Sequence, residues 1–327
     1  MHLQIELFSG ELLDLMRKVY ENPNIGEMVK FDGVTMPEQY EKLADAVENF
    51  QVRDDDIWVC SFPKTGTTWT QEMVWCIANN LDYGQGRVPL TDRFPQLEVS
   101  MHSDFPEIVA SNPDIQIPEA VVDSIKYIAN LPSPRFIKTH LPFHLLPRQL
   151  RTGVKKPKIV YVVRNAKDTC ISFYHYLRTL EDLQGSFEDW CNLFLQDAVM
   201  YGPFWKHVLG YWEKRTEGNL LFLKYEDMKQ DLPGVIKKTA TFLGKNFTTD
   251  QLLSLTEHLS FENMRANPAT NNEDLIRRIK KVTRSTVDGK FMRCGEMNQW
   301  KFEMSPDIIE RFDRWTRENL KGTGLYF

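Results

Sequence analysis

This chain is short of several things, and each shortage narrows what it can be. No apolar run approaches the roughly 20 residues of a membrane-spanning helix. The opening residues, Met1-His2-Leu3-Gln4-Ile5-Glu6-Leu7, carry no basic stretch ahead of an apolar one, so no secretory or transit leader is expected there. Charge of one sign is missing too. Forty basic residues face 45 acidic ones, a formal net charge of −5, which leaves no global field for nucleic acid or an anionic membrane. Any anion site must be local. Cysteine is sparse: Cys60, Cys76, Cys170, Cys191 and Cys294 are scattered and lack C-x-x-C spacing, so reduced thiols in a cytoplasmic protein are expected and no metal site is signalled. There is no G-x-x-x-x-G-K-[ST] loop, which argues against a nucleotide hydrolase or kinase.

What is present is material for a large core: 42% hydrophobic content over 327 residues is enough for one sizeable domain. Four short apolar runs, 57–60, 135–140, 158–163 and 220–224, read as strands, each followed by sequence of helical composition. Residues 159–163, Ile-Val-Tyr-Val-Val, are continuously apolar, as in a strand covered on both faces. Strands alternating with helices predict an α/β fold with a central parallel sheet flanked by helices. One globular domain is expected at 51–327, with residues 1–50 as an N-terminal segment packed on it and a helix over 37–50. In such sheets ligands bind beyond the carboxyl ends of the strands, where Lys64, His140, Arg164 and Tyr225 all lie. Residues 83–114, rich in Pro, Gly and Asp, read as a substrate-contacting loop. Asn165, with Asp168 three residues on, reads as a capping box for the next helix. The basic run 277–293 reads as a solvated helix face, Arg293 excepted.

The stretch Ser61-Phe62-Pro63-Lys64-Thr65-Gly66-Thr67-Thr68-Trp69 joins the first of these strands to a helix. The first N–H groups of a helix have no intrahelical partner and the helix dipole is positive there, so such a junction can take a phosphate. Gly66 permits close backbone approach, Lys64 adds a mobile charge, and Thr65, Thr67 and Thr68 add hydroxyls. His140 ends a strand two residues after Lys138, so in a period-two strand both side chains leave on one face. A neutral imidazole there can take a proton while an ammonium beside it holds developing negative charge. His2, His102, His144, His207 and His258 receive a structural reading.

At the Ser61–Trp69 stretch the sequence resembles the cytosolic sulfotransferase family, and the resemblance extends from about residue 54 to 310. It implies a phosphate loop for 3′-phosphoadenosine 5′-phosphosulfate (PAPS), with PAP as product, no metal, and a small lipophilic acceptor. The implied nucleotide contacts are Lys64, Thr65, Gly66, Thr67 and Thr68 in the phosphate loop; Phe261 and Trp69 as stacking faces for the adenine; Arg164 and Ser172 at the 3′-phosphate; Tyr225; and Arg293, Cys294 and Gly295 in a second clamp. The implied catalytic set is His140 as base with Lys64 and Lys138 holding transferred charge. Phe62, Phe143, Phe173 and Tyr176 are candidates for the acceptor pocket, Tyr176 standing where the family has a pocket aromatic. The acceptor is expected to be a phenol, steroid, retinoid or amine, with the alternative of a non-catalytic nucleotide or lipophile binder on the same fold. A variant that sulfonates an alcohol and then eliminates sulfate is also open.

Three positions depart from the family pattern. In the clamp, R-K-G-x-x-G-x-W-K, Cys294 replaces a lysine and Asn298 a glycine, while Arg293, Gly295, Trp300 and Lys301 match; Leu259 stands where a threonine usually meets adenine. The family's dimer segment reads here as 301–310 with Lys301 and Glu310 kept and Pro306 between them. Proline lacks a backbone donor, which predicts a weakened or altered homodimer.

Overall fold

A computed structural model of the chain describes residues 3–20, 27–112, 114, 116–181, 183–283 and 289–327. Four strands, β4 (Ile57–Ser61), β5 (Phe136–Thr139), β6 (Lys158–Val163) and β7 (Leu220–Lys224), follow a smaller set, β1 (Ile5–Glu6), β2 (Met28–Phe31) and β3 (Val34–Pro37). The four form a parallel sheet in the order β5-β4-β6-β7, with Trp58 opposite Ile137 and Ile159, and Val59 opposite Lys138 and Val160. Because successive strand residues point to opposite faces, this register sorts the apolar run into two layers. On one face Trp58, Cys60, Ile159, Tyr161 and Val163 pack against the helices Ala166–Glu181 and Phe204–Trp212. On the other, Val59, Val160, Val162, Leu221 and Leu223 pack against Thr67–Ala78 and Leu232–Phe242. Full burial of each large aliphatic side chain contributes roughly 1.5–3 kcal/mol, so only covering both faces makes this sheet stable.

Residues 3–50 are more structured than their polarity suggests. β1, β2 and β3 make an antiparallel sheet, and the expected helix over 37–50 is shorter, Tyr40–Glu48, because Pro37 ends β3. Phe31, Met36 and Tyr40 join the main core, and Thr35 exchanges backbone hydrogen bonds with Tyr201 and Gly202 at 2.7 and 2.9 Å. The chain is therefore one domain. Residues 83–114 are likewise not irregular: short helical turns at Gln85–Arg87, Leu90–Arg93, Val99–His102 and Phe105–Ser111 fill the described part. Between them the chain zips onto β5, with Leu97 N–H donating to Lys138 O at 2.8 Å and Lys138 N–H to Pro95 O at 2.9 Å.

The expected capping box at Asn165 does not form. Asn165 Oδ1 accepts from Lys167 N–H at 2.9 Å, but its own N–H donates to Glu226 Oε1 at 2.9 Å. Asp168 instead accepts from the N–H groups of Asn298 and Trp300, at 2.8 and 3.4 Å, and so ties down the C-terminal loop. Pro306 is the first residue of the helix Pro306–Leu320, capped by Ser305. At that position the missing N–H has no intrahelical role, so proline completes a helix start here rather than interrupting an extended segment. The basic run begins as the amphipathic helix Glu273–Thr283, whose Arg277 and Arg278 pair with Asp274 outside while Leu275, Ile276 and Ile279 face inward; Arg284 lies outside the described residues. Among the described residues no helix is long and apolar enough to cross a membrane.

Candidate active site

A cavity of about 780 Å³ opens beyond the carboxyl ends of β4, β5 and β6. Lys64, Lys138, His140, Arg164 and Tyr225 all line it, as strand topology predicts, together with Gly66, Thr67, Thr68, Trp69, Ser172, Phe261, Arg293, Cys294 and Gly295. Among the described lining residues there are six cations, Lys64, Lys138, Arg164, Lys229, Lys290 and Arg293, and no carboxylate. Such a wall suits a polyanion.

His140 is held at three points. Its backbone N–H donates to Glu98 Oε1 at 2.8 Å, its carbonyl accepts from His207 Nε2 at 2.9 Å, and its Nδ1 lies 2.7 Å from the Ser61 carbonyl oxygen. A carbonyl only accepts, so Nδ1 carries the hydrogen and Nε2 keeps its lone pair. Burial, then the charge of Lys138, pushes the His140 pKa well below the ordinary imidazole value. The ring is thus a neutral proton acceptor. Glu98 also accepts from Thr139 Oγ1 and Gln96 Nε2, each at 2.8 Å, so one buried carboxylate fixes the end of β5.

The two lysines are also shifted. Burial, then Lys138, Arg164 and Arg293, lowers Lys64 to about 7. Burial lowers Lys138 to about 8, partly opposed by Glu98. Lys64 has φ +68, and its Nζ sits between the rings of Phe291 and Tyr176, 4.3 and 4.4 Å from their centroids. Cation–π contact holds it without neutralising it.

The nucleotide end is built on close backbone approach. Gly66 has φ +104, and a Cβ there would meet the Tyr225 ring at 2.7 Å; Gly295 has φ +66, and a Cβ there would meet the Phe261 ring at 2.5 Å. Tyr225 donates its hydroxyl to Gly295 O at 2.8 Å, and the Trp69 indole donates to Leu259 O at 2.8 Å. Leu259 thus joins the site through its carbonyl while its side chain is fully buried. The Arg164 guanidinium stacks on Tyr225 at 4.5 Å and donates to Glu296 O at 2.6 Å, but its buried Nε has no partner. An orphaned buried cationic donor in a cavity that Ser172 also lines fits a phosphate. Arginine pairing with Asp168 does not account for it, since that contact is 3.9 Å. Asn298 takes the left-handed conformation, φ +62, that a glycine would take there; asparagine tolerates this region better than most residues, so the loop conformation remains accessible.

Three sequence expectations need correction. The Thr65 hydroxyl is fully buried and donates to the carbonyls of Phe62 and Val162, at 2.8 and 3.0 Å, so it braces the loop instead of facing the cavity. Phe62 lies in the core, ringed by Phe204, Phe173 and Phe194 at 5.0, 5.9 and 6.1 Å, and does not line the cavity. Phe143 packs on Tyr211 at 5.6 Å, also away from it. Both were attractive as aromatics near the motifs, and a mixed core needs such residues more often than a pocket does. Phe173 and Tyr176 do reach the cavity wall.

The structure also adds residues that sequence reasoning missed. Val99, His102, Phe105, Val121, Met200, Tyr201 and Phe291 line an apolar chamber next to His140. Val99, His102 and Phe105 fall in the segment 83–114 that reads as substrate-contacting, although His102 itself receives a structural reading from sequence and here lines the cavity. Phe291 stands beside the clamp, and Val121, Met200 and Tyr201 carry no signal. Outside the cavity, Glu72, Cys76 and His258 gather closely enough to suggest a metal site. Arg93 already pairs with Glu72, and His258 Nε2 sits 2.7 Å from the same carboxylate. Arg93 thus already supplies positive charge to that carboxylate.

These features agree with what the chain is similar to. The family model described as a sulfotransferase domain matches residues 54–324. A luciferin sulfotransferase of Photinus pyralis is 40% identical over 319 residues, covering 97% of this chain and 86% of the relative. An amine sulfotransferase of Oryctolagus cuniculus is 33% identical over 88% and 87% of the two chains. A solved structure of retinol dehydratase with retinol and PAP superposes with a TM-score of 0.89 at 30% identity, covering 100% of this chain and 99% of that one. A matched domain over most of the chain, joined to a cation-walled cavity at the sheet edge, places this protein in the cytosolic sulfotransferase family, as a sulfotransferase.

Proposed function

We propose that this sulfotransferase moves the sulfuryl group of PAPS to the hydroxyl or amine of a small lipophilic acceptor, a phenol, steroid, retinoid or amine, in the cytoplasm. PAPS would supply the activated sulfuryl group, and Arg164, Ser172, Arg293 and the N–H groups of 65–68 would hold its phosphates, with Trp69, Tyr225 and Phe261 around the base. His140 Nε2 removes the acceptor proton as the new S–O bond forms. Lys64 and Lys138 hold the negative charge that collects on the departing phosphate oxygen and on the sulfuryl oxygens, where fixed charge lowers the barrier most. Apolar walls orient the acceptor and exclude water.

The observation that supports this reading is the 2.7 Å contact of His140 Nδ1 with the Ser61 carbonyl oxygen, which commits Nδ1 as donor and leaves Nε2 as the basic nitrogen of a ring that lines one cavity with Lys64 and Lys138. The acceptor range is supported by relatives named for luciferin and amines and by a solved neighbour bound to retinol. The test is transfer of labelled sulfate from PAPS to a panel of phenols, sterols, retinoids and amines, with His140→Ala alongside and the retinoid products analysed for both ester and dehydrated forms. Transfer that collapses in the variant is the expected result. Nucleotide binding without transfer to any acceptor would point to a non-catalytic binding protein. For assembly, we expect a weakened homodimer, since an extended pairing of 301–310 has to unwind the start of the helix Pro306–Leu320. Sedimentation at micromolar concentration should show mainly monomer, and a clean dimer would refute it.

A further inference from the structure

His102 sits at the end of the helical turn Val99–His102, lines the same chamber as His140, and has no role in the proton transfer described above. The two imidazoles flank Tyr201, with ring centroids 5.5 Å (His140) and 6.3 Å (His102) from it. Hydrogen bonding around the Tyr201 hydroxyl determines what His102 offers the cavity. The Tyr201 hydroxyl donates to Glu98 Oε1 at 3.2 Å, so the phenol's one proton points there. The lone pairs of Tyr201 Oη are then left to accept, one from Gln96 Nε2 at 3.2 Å and one from His102 Nε2 at 3.3 Å. His102 therefore carries its hydrogen on Nε2 and bare electrons on Nδ1. Among the described residues no protein group meets that Nδ1. Burial, and then Lys138, lowers the His102 pKa to about 4, so the ring stays neutral and the lone pair stays available.

The cavity wall that His102 shares includes the apolar side chains Val99, Phe105, Val121 and Met200, along with Ser103, Gln96 and Tyr201. A buried hydrogen-bond acceptor in such a wall selects among ligands, because an apolar group that displaces water from it leaves it unsatisfied. Resting on the proposed sulfuryl transfer, we propose that His102 is a specificity residue whose Nδ1 accepts a hydrogen bond from a second hydroxyl of the acceptor, across the Tyr201 ring from the reacting one. The preferred acceptors are then lipophilic molecules with two hydroxyl groups, one sulfonated at His140 and one held at His102.

The test compares para-(ω-hydroxyalkyl)phenols of increasing chain length with para-alkylphenols of matched length, each with PAPS, using wild type, His102→Ala and His102→Asn. Asparagine offers Oδ1 near the position of Nδ1. In wild type, at the chain length that spans the two sites, the hydroxylated phenol should exceed its alkyl partner in kcat/KM by roughly three- to tenfold, the range for one hydrogen bond to a buried acceptor. That ratio should drop to about one in His102→Ala and be partly restored in His102→Asn, with PAP affinity confirming that each variant is folded. An equal ratio in wild type and His102→Ala, or no chain length with an advantage, overturns the role of His102 while leaving sulfuryl transfer standing. No sulfonation of any phenol by wild type overturns the transfer reading and this inference with it.

Discussion

At the scale of single residues, burial moves the titration of the cavity's ionisable groups away from their values in water. His140 is buried beside Lys138, so its folded pKa lies below the ordinary value of about 6.5, and the neutral form needed to accept a proton persists as pH falls. The acid limb of kcat/KM should accordingly lie below that value; an acid limb at or above it would show that a different group titrates. Replacing His140 with alanine should lower kcat by roughly 10²- to 10⁴-fold, the usual worth of a positioned base, with PAP affinity little changed. The lysines give the opposite sign. With Lys64 near 7 and Lys138 near 8 in the free protein, both lose charge as pH rises through that window. A bound polyanion favours the charged forms, so binding must take up protons. Calorimetry of PAP binding at a pH of about 8 in buffers of different ionisation enthalpy should show net uptake, and PAP affinity should weaken as pH rises. Proton release on binding would contradict these shifts.

At the scale of elements, two glycine-bearing turns come so close to the Tyr225 and Phe261 rings that a Cβ on either glycine would strike them. Gly295 combines a left-handed φ with a Phe261 ring where a Cβ would stand, so Gly295→Ala forces both strain and ring displacement. We expect at least tenfold weaker PAP binding and a loss of stability of about 1–3 kcal/mol, the usual cost of such strain, read by titration and by denaturant melting. Near-native affinity would mean that the ring is free to move. The segment 83–114 shows why elements are hard to read from composition. Its prolines and glycines suggest a loop, yet its turns are each only three to seven residues long, too short to display a helical period. What orders it is pairing with the backbone of β5, a contact distant in sequence.

At the scale of the whole molecule, the sheet edge that carries the site depends on ion pairs far from it. Arg135, buried at the start of β5, makes a two-pronged contact with Asp56 at 2.8 and 2.7 Å and donates to Gln51 O at 2.8 Å. Asp56→Ala would leave a buried guanidinium uncompensated, at a cost of about 3–5 kcal/mol. Equilibrium unfolding should show that loss while PAP affinity at low temperature stays close to wild type; a change under 1 kcal/mol would mean that water reaches Arg135. The alternation of apolar runs with helical sequence already determined the parallel sheet, and with it which residues stand at strand ends. Lys64, Lys138, His140 and Arg164 were legible for that reason: topology dictates where strand ends go, and motif spacing dictates what they carry. Tertiary packing alone decided the rest. Whether Phe62 or Phe173 faces the cavity, whether Asp168 caps its own helix or holds a loop 130 residues away, and that Glu98, Tyr201 and His102 gather around His140 all depend on side-chain directions set by neighbours remote in sequence. Hydrophobicity and local propensity carry no information about such directions, because the same residue types serve a core and a pocket wall equally well.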